Sequence, residues 1–199
     1  MDINLKGKNV LVCGGSGGIG KASAIVLAEM GANVTLLARN EDNLFETLQQ
    51  LDHSEGQKHD MIVADTSQEE DFKGSLVVLT NKRPIHILVN NSGGPPAGNI
   101  VDANTDGFKA AFNQHLIANH LAVQTLLPGM KKEGYGRIIN IISTSVKQPL
   151  RGLGVSNTIR AAVANWSKTL ATELAPHGIT VNNVLPGATD TDRLNSIIS

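Results

Sequence analysis

The sequence predicts a doubly wound α/β fold, a mostly parallel sheet with helices on both faces. Three observations carry the prediction. Short apolar, β-branched runs alternate with helix-period segments along the whole chain. A glycine-rich turn joins the first such run to the first helical segment. Polar or glycine turns follow the carboxyl ends of several runs, where open α/β sheets bind ligands.

The elements follow in order. Asn9 to Val12 is the first strand and Gly18 to Met30 the first helix. Asn33 to Leu37 is the second strand, followed by a helix over Glu41 to Leu51. Met61 to Ala64 is the third strand, and Gln68 to Asn81 the next helix. Ile85 to Val89 is the fourth strand. Thr105 to Lys132 reads as one long helical region, despite Gly107 and Pro128. Arg137 to Ile142 is the fifth strand. Gly154 to Ala175 is a helix ended by Pro176 and Gly178, and Ile179 to Val184 is the sixth strand. The strands are short and apolar throughout, as in a sheet covered on both faces. No linker, repeat or low-complexity tract divides residues 1–199, so one domain is expected. The last residues, Arg193 to Ile198, read as the start of another helix, which suggests a chain lacking its C-terminal end.

Composition narrows the function classes. Of the 199 residues 41% are hydrophobic and 18% charged, with a formal net charge of −1. Neither bulk nucleic-acid binding nor a membrane surface is favoured by such a balance. No basic patch carries interleaved aromatics, and no apolar run is long enough for a membrane span. The single cysteine, Cys13, rules out an internal disulfide, and no apolar signal segment opens the chain, so a cytoplasmic location is expected. His53, His59, His86, His120 and His177 share no metal-ligand spacing, so no metal is expected.

The glycine turn reads Cys13-Gly14-Gly15-Ser16-Gly17-Gly18-Ile19-Gly20. Strand, glycine turn and helix in that order form a dinucleotide cradle of Rossmann type. Gly14 permits the tight turn, Gly18 lets the backbone approach a pyrophosphate, and Gly20 lets helix and strand pack closely. The helix N-terminus offers free N–H groups and a partial positive charge. At the end of strand two an NAD site usually carries an acid for the ribose 2′-OH. Here Ala38 is followed by Arg39, whose guanidinium suits a 2′-phosphate, so NADP(H) is favoured over NAD(H). The plain alternative is a solvated loop arginine. Asp65, after strand three, either accepts from an adenine amino group or caps the next helix. Asn90-Asn91-Ser92-Gly93-Gly94, after strand four, either lines the cleft or is only a turn.

These residues together resemble the short-chain dehydrogenase/reductase family over essentially the whole chain. Its pattern of threonine-glycine-x3-glycine-x-glycine, an aspartate after strand three and Asn-Asn-Ala-Gly is met by Cys13-Gly14 with Gly18-Ile19-Gly20, by Asp65, and by Asn90-Asn91-Ser92-Gly93. Gly136 to Ser143 resembles the strand that delivers the family's catalytic serine. Ile179 to Gly187 resembles the strand and Pro186-Gly187 turn at the nicotinamide end, and Thr191 matches a threonine near the cofactor amide. The resemblance implies cofactor contacts from Gly14, Ser16, Gly18, Ile19, Gly20, Arg39, Asp65, Asn91, Ser92, Gly93, Arg160, Pro186, Gly187 and Thr191.

The family's working tetrad is asparagine, serine, tyrosine and lysine, and this chain departs from it. Ser143 matches the serine. The tyrosine place holds Ser156, the lysine place Arg160, and the asparagine place, counted back from Leu126-Leu127-Pro128, holds His115. Tyr135 is the one tyrosine; it precedes strand five while Ser143 follows it, roughly 25 Å away at ~3.3 Å per residue. Ser156 and Arg160, at i and i+4, share a helix face. An aliphatic hydroxyl is a far weaker acid than a phenol, and arginine stays protonated. The geometry of the original pair is kept while its proton chemistry is not. His115 either supplies the proton or is a hydrogen-bonded helix histidine; Lys147 is the other nearby cation.

The resemblance implies an NADP(H)-dependent oxidoreductase of the 3-oxoacyl-reductase-like branch, acting on a small carbonyl or acyl substrate. The rivals are a non-catalytic dinucleotide-binding sensor or scaffold, and non-redox chemistry at the same cleft with Arg160 holding an anion. Family habit implies a homodimer or homotetramer through Thr105–Lys132 and Gly154–Ala175.

Overall fold

The computed structural model of the chain describes residues 4–191 and Leu194. Its strands are β1 (Asn9–Cys13), β2 (Asn33–Ala38), β3 (Asp60–Val63), β4 (Ile87–Asn90), β5 (Gly136–Ile141) and β6 (Ile179–Val184). They form one sheet in the order β3-β2-β1-β4-β5-β6, and every pairing is parallel. The helices are α1 (Gly18–Glu29), α2 (Glu41–Leu48), α3 (Glu69–Lys82), α4 (Thr105–Phe112), α5 (Ala118–Glu133) and α6 (Gly154–Leu174). The doubly wound reading of the sequence thus matches the architecture, with element ends moved by one to three residues. The helix start expected over Arg193–Ile198 lies outside the described residues, Leu194 apart.

Period-two alternation splits the core between the two faces of the sheet. Val10, Val12, Val34, Leu36, Ile87 and Val89 pack with Ala24 and Ala28 of α1 and Leu44 of α2. Leu11, Cys13, Leu37, Leu88 and Ile138 pack with Phe72, Leu76 and Leu79 of α3 and with α5 and α6. The buried stripe of α1 is Gly20, Ala24 and Ala28, one small residue every fourth position, so this helix lies close against β1. α5 buries Ala118, Ala122, Val123, Leu126 and Met130 along one face and ends at Gly134, whose φ of 59° only glycine adopts without cost.

One expectation is corrected. The single helical region expected over Thr105–Lys132 is divided by a π turn, Asn113–Ile117, closed by a bond from the Ala118 N–H to the Asn113 carbonyl. α4 packs on α6, whereas α5 packs on α3 and β5. The extra residue of a π turn changes the facing of the helix between those two sets of partners. Apolar periodicity on either side does not reveal it.

Candidate functional site

The strand order reverses between β1 and β4, so a crevice opens beyond their carboxyl ends. The glycine turn fills one side of it. Gly14 has φ 63°, and a Cβ there would lie 2.5 Å from Asn91 Nδ2 and 2.8 Å from its carbonyl oxygen. A Cβ on Gly20 would meet the Gly14 carbonyl oxygen and, at 2.7 Å, Asn91 Nδ2. Asn91 Nδ2 itself donates to the Gly14 carbonyl at 3.3 Å. Gly14, Gly20 and Asn91 therefore interlock, and only glycines leave the loop this low. Gly18 has φ 49°, with Thr191 beside it: its Cγ2 would lie 3.3 Å from an added Cβ. Ser16 and Ile19 are half-buried between them. α1 begins after Gly17 with no side-chain cap and no acid in its first turn. This cradle fits the pyrophosphate of a dinucleotide.

At the far side of β1, Arg39 and Asp65 close the ends of β2 and β3. Arg39 Nη1 lies 3.8 Å from Asp65 Oδ2, and the arginine side chain is 74% exposed. Such an exposed pair is weak, so the guanidinium is available to a ligand phosphate at little cost. The Asp65 carboxylate accepts from the Ser67 backbone N–H at 2.9 Å, and α3 starts only at Glu69, so Asp65 forms a local turn rather than capping the helix. Hydrogen bonding from Ser67, with Arg39 as a lesser cause, holds the Asp65 carboxyl below its usual range.

The remaining candidates gather at the carboxyl ends of β4, β5 and β6. Ser143 follows β5, and its Oγ accepts from the Ser145 N–H at 3.1 Å. The turn after β6 is tied to it, because the Thr144 N–H donates to the Pro186 carbonyl at 3.1 Å. Gly187 and Thr191 continue that segment, with the Thr191 hydroxyl donating to the Thr189 carbonyl. α6 brings Ser156 and Arg160, both half-buried, on its first two turns. Arg160 Nη1 donates to the Ile141 carbonyl at 2.8 Å, two residues before Ser143. One arm of the fork is thus anchored on the end of β5. His115 sits in the π turn, buried, with Nδ1 2.7 Å from Ser92 Oγ. Gly93 is exposed beside Ser92.

Other sequence candidates lie elsewhere. Tyr135 packs under Lys8 and Arg137, each 4.2 Å from its ring centroid, at the amino end of β5 and away from Ser143. Lys147 is exposed. Cys13 is buried in the core, and burial pushes its thiol up to about 12.

Three features were not read from the sequence. The Ser92–His115 bond joins residues 23 apart. A buried polar chain runs under the site: Asn90 Nδ2 donates to Asn140 Oδ1 at 2.8 Å, Asn140 Nδ2 to Ser167 Oγ at 2.9 Å, and Ser167 Oγ to Asn183 Oδ1 at 2.8 Å. It locks α6 to β4, β5 and β6. A backbone clamp joins the two loops in front of the site, with the Gly98 N–H donating to the Gly152 carbonyl and the Gly154 N–H to the Gly98 carbonyl. Gly154 is required there, since a Cβ would lie 2.6 Å from the Ile100 Cα. The one available signal was the polar residues inside apolar strands, Asn90, Asn140 and Asn183.

Comparison with known proteins agrees with this geometry. The family described as short chain dehydrogenase matches residues 8–199. The chain is 28% identical over 193 residues to the NADPH-dependent reductase BacG of Bacillus subtilis, covering 96% of this chain and 74% of that protein. It is 31% identical over 198 residues to the 3-oxoacyl-[acyl-carrier-protein] reductase FabG of Vibrio harveyi, covering 98% and 79%. The crystal structure of L-sorbose reductase from Gluconobacter frateurii, complexed with NADPH and L-sorbose, superposes with a TM-score of 0.91 at 32% identity, covering 96% of this chain and 73% of that one.

Proposed function

The chain belongs to the short-chain dehydrogenase family, and from that premise we propose that it is an NADP(H)-dependent oxidoreductase reducing a small carbonyl substrate of 3-oxoacyl type. The observation that carries the reading is the interlocked cradle of Gly14, Gly20 and Asn91 with Arg39, rather than an acid, at the end of β2. BacG, named an NADPH-dependent reductase, and the NADPH complex of L-sorbose reductase support the same cofactor; NAD(H) is the less favoured one.

In this reading Gly14, Ser16, Gly18, Ile19 and Gly20 hold the pyrophosphate. Arg39 pairs with the 2′-phosphate and Asp65 accepts from the adenine amino group. Asn91, Ser92 and Gly93 line the middle of the cleft. Pro186, Gly187 and Thr191 meet the nicotinamide end, and Arg160 contacts the ribose hydroxyls. When bound, the nicotinamide supplies hydride to the carbonyl carbon. Ser143 and Ser156 donate hydrogen bonds to the carbonyl oxygen and polarise it. The proton comes from water or from His115. Without a tuned phenol, turnover is slow, since a general acid is worth ~10²–10⁴-fold.

The test is calorimetric titration with NADPH and NADH. Arg39→Ala should weaken NADPH by about 10- to 100-fold, the range for hydrogen bonds to a charged group, and leave NADH unchanged. Equal loss for both nucleotides, or no binding of either, sinks the reading.

A non-catalytic dinucleotide-binding sensor or scaffold is the second reading. It is favoured by Ser156 and Arg160 in the tetrad's tyrosine and lysine places and by the anchoring of Arg160 on the Ile141 carbonyl. Non-redox chemistry with Arg160 as an anion clamp is the third. Turnover separates the first two and product identity the third. A large gain in carbonyl reduction by Ser156→Tyr with Arg160→Lys favours the first. A homodimer or homotetramer through α4–α5 and α6 completes the proposal. Its support is the groove lined by Phe108, Phe112 and Ile159 between those helices, and sedimentation velocity tests it. The cytoplasmic location rests on the sequence alone.

A further inference from the structure

Two of the chain's departures from the family pattern touch each other. Where Asn-Asn-Ala-Gly has alanine, this chain has Ser92; where the tetrad has asparagine, it has His115. Ser92 Oγ lies 2.7 Å from His115 Nδ1, a short hydrogen bond between the loop after β4 and the π turn. His115 is 1% exposed, so its ring does not meet a substrate directly. Ser92 is half-buried and follows Asn91, the residue that interlocks with Gly14 in the cleft wall. The serine hydroxyl, with one donor and two acceptor lone pairs, is the kind of group that passes a proton in one direction while receiving one from the other.

We propose that Ser92 and His115 form a proton relay that feeds the cleft in a site lacking the family's tyrosine. The proposal rests on the reductase reading above and names the route of its proton. As the carbonyl carbon receives hydride, the carbonyl π electrons move to oxygen and make an alkoxide. The alkoxide takes a proton from a cleft water. Ser92 Oγ gives its proton to that water, breaking its O–H bond. His115, entering as imidazolium, gives its Nδ1 proton to Ser92 Oγ. Neutral imidazole remains, and before the next turnover its Nδ1 regains a proton by the reverse route, from a cleft water through Ser92 Oγ, because the ring itself is 1% exposed. The two residues thus act as one unit, and loss of either breaks the same chain.

The pair is testable because both deletions restore residues of the family pattern, alanine at 92 and asparagine at 115, which that fold accommodates. NADPH oxidation is followed with an acetoacetyl thioester and a panel of small ketones. Ser92→Ala should lower kcat at least about 10-fold, a larger loss than any it causes in NADPH affinity or in the KM of the carbonyl substrate. Ser92→Thr, which keeps the hydroxyl, should lose less. The double variant Ser92→Ala/His115→Asn should be no slower than the slower single variant. In the nucleotide-free protein, the His115 Nδ1 nitrogen resonance should move in Ser92→Ala. Wild-type kcat in Ser92→Ala, losses that multiply in the double variant, or an unmoved resonance overturns the relay alone. A wild-type chain that binds NADPH and turns over no carbonyl overturns the reductase reading and the relay with it.

Discussion

Replacing Gly20 and Gly74 by alanine sets two opposing effects against each other inside two helices. Alanine is the better helix former by about 1 kcal/mol, and glycine's extra freedom in the unfolded chain adds to the same side. Gly74, on the exposed face of α3, has nothing within 4 Å of an added Cβ. Gly74→Ala should therefore stabilise by about 0.5–1 kcal/mol, raising Tm by roughly 1–4 °C in a domain of this size. At Gly20 the same Cβ would lie on the Gly14 carbonyl oxygen and 2.7 Å from both the Gly14 carbonyl carbon and Asn91 Nδ2. Two of those atoms are backbone, which cannot rotate away as a flexible side chain does. Overpacking costs about 1–3 kcal/mol, and a rigid neighbour places this site at the upper end. After the propensity gain, Gly20→Ala should destabilise by about 2 kcal/mol and lower Tm by roughly 4–8 °C. Thermal unfolding followed by far-UV circular dichroism, with refolding checked, measures both. A Gly20→Ala protein as stable as wild type refutes the contact between the glycine turn and α1, and a Gly74→Ala protein less stable than wild type refutes the propensity gain assumed at both sites.

Three further outcomes follow from buried polar groups. His59 Nδ1 accepts from the Val34 N–H and His86 Nδ1 from the Asn9 N–H, so both rings are held neutral in the fold, and burial, first among the causes, lowers their proton affinity. Their contribution is complete above the ordinary histidine value of about 6.5 and is lost as pH falls through the lowered folded values; urea titrations between pH 8 and pH 5 should show stability declining toward acid, with a smaller slope in His86→Gln. Asn140→Leu should cost about 2–6 kcal/mol, because the Asn90 amide and the Ser167–Asn183 pair each lose a buried partner at ~1–3 kcal/mol; an unchanged urea midpoint would remove the network from the account. Cys13, with its thiol raised to about 12, should stay unmodified by a disulfide reagent in the native protein and react only on unfolding.

The sequence by itself determined the layer architecture and where along it the candidate residues fall. Alternating apolar strands and helix-period segments are local patterns, set by the period of each element, and the six strands and their helices follow from them. The glycine turn was legible for the same reason: Gly14 and Gly18 are required by backbone conformations that neighbouring residues impose. Arg39 and Ser143 lie after the carboxyl ends of β2 and β5, where the sequence puts them, because each follows an apolar strand directly in the chain. Contacts between distant segments were decided only by tertiary structure. Nothing near Ser92 in the chain announces His115, since the bond depends on a π turn whose register is set by what α4 and α5 pack against. The anchoring of Arg160 on Ile141, the asparagine chain beneath the site and the Gly98–Gly154 clamp are likewise products of packing. Periodicity fixes which face of an element is apolar; it carries no record of which polar atoms meet once those faces are buried.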